Sequence, residues 1–203
     1  MYVERLGPVF SQEEVAGIVD VYREAFGNEP WNEGYRCPNH LDCGSVFPLT
    51  YPGRICVQCS TVGDPVYLVE YWPFEKVRED FYKEMSQPDS VCLVVRDAQG
   101  LIGFAWGYRM SMSMETSSYL DAPALHEHLS GDFFYLDEVA IRSTHRGQGL
   151  GKKLVHEIFE FQDRSMCLRT LSDSRMYKLI LHMGGQTILP ISRGRVVMTI
   201  DQK

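Results

Sequence analysis

No stretch of this 203-residue chain holds about 18 consecutive apolar residues, so no segment reads as a membrane-spanning helix. The opening Met1-Tyr2-Val3-Glu4-Arg5-Leu6-Gly7-Pro8 lacks the basic and apolar blocks of a secretory signal, and the cytoplasm is the expected compartment. Positive charge is short as well. Twenty Lys and Arg stand against 27 Asp and Glu, a net charge of −7, which disfavours nonspecific nucleic-acid binding and leans towards cationic partners. Internal repeats and low-complexity segments are missing. The chain has only six cysteines, and in a reducing compartment the four that cluster point to metal, not to disulfides. What remains is an ordinary composition with 44% hydrophobic residues. That is enough for a full core in one domain spanning residues 1–203.

Two nucleotide motifs are also missing. A phosphate loop needs four residues between its glycines followed by Gly-Lys-Ser/Thr, and no window supplies that. A dinucleotide fingerprint needs two residues before its third glycine and an acid about 20 positions on, where this chain has Cys167-Leu168. The chain does contain an apolar strand, Glu138-Val139-Ala140-Ile141, that leads into Arg146-Gly147-Gln148-Gly149-Leu150-Gly151-Lys152 and then into an amphipathic helix. Glycines without side chains let successive N–H groups and the helix dipole converge on one phosphate, so a pyrophosphate-bearing ligand is implied.

Other elements follow from periodicity. Ser11-Gln12-Glu13-Glu14 is a capping box, and Val15, Ile18, Val19, Tyr22 and Phe26 continue at helical spacing to Gly27. Residues 28–64 lose all periodicity and form an irregular insertion. Phe74, Val77, Phe81 and Met85 mark a second helix ending before Pro88. Apolar runs at 91–95 and 101–106 flank the turn Asp97-Ala98-Gln99-Gly100. Strands are predicted at 133–141, 166–171 and 195–200, and helices at 150–159 and 174–183.

The Arg-x-x-Gly-x-Gly pattern at 146–151, with strand before and helix after, resembles the acetyl-CoA loop of the GNAT superfamily of N-acetyltransferases. The resemblance extends over residues 1–27 and 65–203. It implies an α/β fold of the α+β kind, with a mixed, mostly antiparallel central sheet flanked by helices. It also implies acetyl-CoA as co-substrate, held by Val139, Ala140 and Ile141 along a splayed strand and by residues 146–152 at the pyrophosphate. A backbone N–H near Val139 and Ala140 would polarise the thioester. Direct transfer to an amine then needs a base. Glu138 ranks first and Asp137 second; on a regular strand they face opposite sides of the sheet, so one faces the acceptor. The bland alternative is that both acids merely line a polar cleft or bind a cation.

GNAT enzymes commonly carry a tyrosine four residues before the glycine that ends the later helix, but here Ile180 or Leu181 stands there. Tyr177 is the nearest substitute, and Ser174 fills a cofactor position often held by asparagine. The connection 111–131, with Met112, Met114, Tyr119, His126 and His128, is expected over the acceptor site. The acceptor is expected to be a small cationic amine or a protein amine, and a homodimer is compatible with this reading. A rival reading is a non-catalytic acetyl-CoA-binding module whose loop docks a protein partner.

Within the insertion, Cys56-Val57-Gln58-Cys59 follows Cys37, His40 and Cys43. Pairs at such spacing let two thiolates reach one tetrahedral Zn2+. Five candidates compete for four places, with Cys37, Cys43, Cys56 and Cys59 favoured and His40 an alternative to one of the first two. Four protein ligands would leave no open position, which makes the ion structural. Free surface cysteines are the plainer alternative.

Overall fold

The computed structural model describes residues 1–39, 42–60, 64–111, 125, 129, 131–191 and 194–201. Its centre is a seven-stranded sheet ordered β1-β5-β6-β7-β8-β10-β9, from strands β1 (Tyr2–Arg5), β5 (Val91–Asp97), β6 (Gly100–Ser111), β7 (Asp132–Ile141), β8 (Met166–Leu171), β9 (Gln186–Pro190) and β10 (Arg195–Ile200). Every neighbouring pair is antiparallel except β7 and β8, which run parallel. Helices α1 (Gln12–Phe26) and α2 (Phe74–Met85) cover one face, and α3 (Leu150–Glu160) and α4 (Arg175–His182) cover the other. The expected mostly antiparallel sheet flanked by helices is therefore what forms.

Local chemistry explains the helix boundaries. Ser11 Oγ accepts from the Glu14 N–H at 3.2 Å, and Glu14 Oε2 accepts from the Ser11 N–H at 2.7 Å, which is the capping box read from the sequence. The α1 stripe Val15, Ile18, Val19 and Tyr22 packs with Phe81 of α2 onto Phe104 and Trp106 of β6. Phe81, Phe104 and Trp106 are fully buried, and each such side chain stabilises the fold by about 1.5–3 kcal/mol.

The insertion is more ordered than its lack of periodicity suggested. Two-residue strands β2 (Tyr35–Arg36) and β3 (Val46–Phe47) within it join β4 (Val69–Glu70), just beyond its expected end at residue 64, in a small antiparallel sheet ordered β3-β2-β4. Strands β1 and β9 also escape sequence reading. Most of the 111–131 connection, including Met112, Met114, Tyr119, His126 and His128, lies outside the described residues. No helix among the described residues is long and apolar enough to cross a membrane.

Candidate active site

The cleft arises from two departures from regular sheet geometry. Strands β7 and β8 pair only at Phe134 with Met166 and Tyr135 with Cys167, and beyond those rungs they part. The gap opens into a cleft of about 640 Å³ whose lining includes Leu136 to Ile141 on one side and Leu168, Arg169 and Thr170 on the other. Unpaired strand edges in such a gap present free N–H and C=O groups to an extended ligand.

The second departure is a β-bulge. Trp106 of β6 pairs with Glu138 and the next residue, Gly107, pairs with Leu136, so Asp137 has no partner in the ladder. The bulge switches the alternation of β7. Tyr135, opposite Tyr108, lies on the side of the sheet away from Phe134 and Leu136; after the extra residue Glu138 and Ala140, opposite Trp106 and Phe104, lie on that same side, under α1 and α2. The expectation that Asp137 and Glu138 face opposite sides is thereby corrected: both lie on one face, because an inserted residue breaks the period of two. Gly107 permits the bulge, since a Cβ there would collide with the Tyr135 carbonyl and stand 2.6 Å from the Phe134 ring.

At one end of the cleft the glycine turn meets α3. Gly147 and Gly149 take φ of 81° and 78°, a left-handed backbone that other residues adopt at a cost. Among the described residues, no backbone carbonyl receives the N–H groups of residues 147–152. They stand at a helix N-terminus, where donors and dipole favour an anion. Arg146 fixes the turn, donating from Nε to the Ile141 carbonyl (3.1 Å) and from Nη1 to that of Glu29 (3.2 Å). Glu24 of α1 ties the preceding residues, accepting from Ser143 N–H and Oγ (both 2.8 Å) and from Arg142 Nη1 (2.8 Å). Arg146, Gly147, Gly149, Leu150, Gly151 and Lys152 line the cleft with Arg175, giving this end cationic character. Gln148 is exposed beside it.

At the other end three carboxyls converge. Tyr22 of α1 donates its hydroxyl to Glu138 Oε1 at 3.2 Å, and Tyr108 of β6 donates to Asp137 Oδ2 at 3.1 Å. Trp106 Nε1 donates to Glu84 Oε2 of α2 at 2.7 Å. Asp137 and Glu138 line the cleft and are half-buried. Burial, reinforced by the neighbouring Asp137 and Glu84 charges, holds Glu138 well above the usual carboxylate range. Burial also raises Asp137, and burial with the nearby Asp137 charge pushes Glu84 up to about 9. Sequence reasoning missed Glu84. A signal existed: the acid sits three residues after Phe81, in register with the buried stripe Val77 and Phe81.

A glycine turn built to hold an anion, a parted β7/β8 pair and acids near the parting form one continuous site. A family model for the acetyltransferase (GNAT) family matches residues 60–177. The chain belongs to the GNAT family. No curated protein matches the sequence. Among solved structures, a Corynebacterium glutamicum protein described as histone acetyltransferase HPA2 and related acetyltransferase is 22% identical, with 99% of this chain and 96% of that chain covered and a TM-score of 0.57. The PaiA N-acetyltransferase of Thermoplasma acidophilum, solved with coenzyme A, is 12% identical with full coverage of both chains and a TM-score of 0.56. An aminoglycoside 6'-N-acetyltransferase solved with coenzyme A is 13% identical, with 99% and 97% covered and a TM-score of 0.54. What these structures share with the chain is the GNAT fold.

Two further expected residues stand differently relative to the GNAT cleft. Ser174, the N-cap of α4, lines it and exchanges a 2.8 Å hydrogen bond with Thr170. Tyr177 is not among the lining residues; its hydroxyl accepts from Thr187 Oγ1 of β9 at 3.4 Å.

The insertion contributes a wall and a separate thiol cluster. Glu29, Pro30 and Trp31 line the cleft. Behind them Glu33 accepts from Trp72 Nε1 (3.2 Å) and Arg195 Nη2 (3.1 Å), and the Arg195 guanidinium lies 5.7 Å from the Trp31 ring centre. The sulfurs of Cys37, Cys43, Cys56 and Cys59 all lie within 4.8 Å of one another, with Cys37–Cys59 and Cys43–Cys56 at 3.6 Å and no disulfide. A tetrahedral ion with bonds of about 2.3 Å sets its ligands about 3.8 Å apart, so these thiols fit zinc. His40 lies outside the described residues. Cys92 and Cys167 are buried core residues in strands.

Proposed function

We propose that the protein is an N-acetyltransferase that moves the acetyl group of acetyl-CoA directly to a primary amine. The observation that carries this reading is the shared cleft: an anion-holding turn at one end and a carboxyl cluster at the other, joined by the parted β7 strand. Residues 146–152 take the pyrophosphate, the β7 edge at Val139, Ala140 and Ile141 takes the pantetheine arm, and Ser174 adds a polar contact. A backbone N–H near Val139 and Ala140 polarises the thioester carbonyl, a placement worth about 2.7–4 kcal/mol in comparable oxyanion sites. The amine binds as a cation at the acidic end and loses its proton to Glu138 or Asp137. The acidic end favours a small cationic acceptor such as a polyamine or aminoglycoside.

The insertion at residues 28–64 is assigned a structural Zn2+ held by Cys37, Cys43, Cys56 and Cys59, supported by the fit of the four sulfurs to a tetrahedron. Its folding free energy would come from the metal, since so short a segment has little core of its own. Metal analysis is expected to return one zinc per chain, lost in Cys56→Ser; a wild-type protein without zinc sinks this assignment.

The function itself is tested by melting the protein with and without acetyl-CoA, then assaying thiol release with a panel of amines. At 100 times the dissociation constant, binding adds about 2.7 kcal/mol of stability. A shift with turnover supports the proposal. No shift removes it, and a shift without turnover on any amine would favour a module that holds acetyl-CoA while the insertion docks a partner.

A further inference from the structure

Glu84 does not line the cleft, yet it belongs to the same carboxyl cluster. Its carboxyl lies within hydrogen-bonding reach of the Asp137 carboxyl, while Trp106 Nε1 holds its Oε2 at 2.7 Å. Tyr108 donates to the Asp137 Oδ2 at 3.1 Å. Two ionised carboxylates are acceptors only and repel at such range, so a hydrogen bond between them requires a proton. The surrounding charges do not remove this need. Asp80 from α2 adds negative charge, Glu138 from β7 is itself held above the usual carboxylate range, Tyr22 from α1 is committed to Glu138, and Tyr135 and Tyr108 are neutral phenols. Arg169 from β8 faces the cluster as the opposing cation.

We propose that Glu84 and Asp137 share one proton, and that this acid pair, opening on the cleft through Asp137, receives the proton of the acceptor ammonium. Glu84 is then a positioning residue, and Asp137 is the group that meets the amine. The inference rests on the acetyltransferase reading and assigns the proton's destination within it. The ammonium gives one proton to the singly charged pair, which becomes neutral. The freed amine nitrogen attacks the thioester carbon, the C–N bond forms and the C–S bond breaks. Of the two protons still on the attacking nitrogen, one passes to the departing thiolate, giving CoA thiol, and the other stays on the amide; the pair returns its proton to water. This route needs no separate thiolate acid, which suits a chain whose Tyr177 lies outside the cleft lining.

Infrared spectroscopy of the protein between neutral and alkaline pH tests the shared proton without relying on activity. A carboxylic-acid carbonyl component distinct from that of Glu138 is expected at neutral pH, lost on raising the pH and missing in Glu84→Gln; in Asp137→Asn it shifts in frequency, because Glu84 then holds the proton alone. Glu84→Gln keeps an oxygen for Trp106 and should fold; Asp137→Asn approaches the pair from its other member should it not. Glu84→Gln is also expected to retain the melting shift with acetyl-CoA while losing about tenfold or more in kcat/KM for the amine. Absence of the band in wild type overturns the shared proton and leaves the acetyltransferase reading standing. A band accompanied by wild-type turnover in Glu84→Gln overturns its use in catalysis. A band with no turnover on any amine overturns the acetyltransferase reading, and the proton's destination with it.

Discussion

The two ends of the cleft hold opposite charges by different means. At the cationic end, six consecutive N–H groups come from residues 147–152, and two glycines with positive φ aim them. At the acidic end, the geometry depends on Tyr22 from α1, Glu84 from α2, Trp106 and Tyr108 from β6 and the bulged pair on β7. One is written in a single short segment; the other exists only after four elements have packed. A backbone site tolerates change in surrounding side chains but not in its own glycines, whereas a side-chain site is sensitive at many scattered positions.

The largest break of this comparison is expected from Gly149→Val. A branched side chain at φ 78° is strained and stands among the phosphate donors, so acetyl-CoA affinity should fall by about 100-fold or more, read by calorimetry. Retained affinity would mean that the turn is not the cofactor site. At the opposite end, Glu138→Gln and Asp137→Asn should leave affinity intact and slow turnover by about 10²- to 10⁴-fold each. If neither changes the rate, the acids serve only to bind or line the cleft.

A milder contrast concerns pH. Glu84, raised from 4.5 to about 9, binds its proton more tightly when folded than unfolded. Between those values the unfolded chain therefore holds fewer protons, and stability falls as pH rises through that window. Denaturant midpoints should decline from pH 5 to 9, and Glu84→Gln should flatten the slope; an unchanged slope would place the titration elsewhere. The smallest effect is expected from Tyr177→Phe. Its hydroxyl meets Thr187 outside the cleft lining, so turnover should change less than about threefold, within surface-substitution range. A large loss would restore Tyr177 as the thiolate acid.

This division also governs what the sequence could disclose. The glycine turn, the capping box at Ser11 and the Cys56/Cys59 pair are local patterns, and each stands in the structure where its spacing implied. The bulge at Asp137 was hidden because it depends on which β6 residue lies opposite, and Gly107 carries no mark of its partner. Glu84 stands in register with Val77 and Phe81 on α2, but nothing local to the helix names the groups of β6 and β7 that it meets. Strands β1 and β9 were missed for a related reason: short edges owe their conformation to the neighbour they pair with, β5 and β10 respectively. Within residues 28–64, two-residue strands are too brief to show any period.

The latch between Glu33 and Arg195 joins residues 162 positions apart. On a ribosome adding about 5–20 residues per second, Glu33 emerges on the order of ten seconds before its partner is made. Through that interval the glycine turn, the β7 strand and the thiol cluster can all form, while the segment carrying Trp31 lacks its anchor to β10. The wall of the cleft is thus among the last parts of the molecule to be fastened, and a nascent chain halted after β8 would have the glycine turn without an enclosed groove.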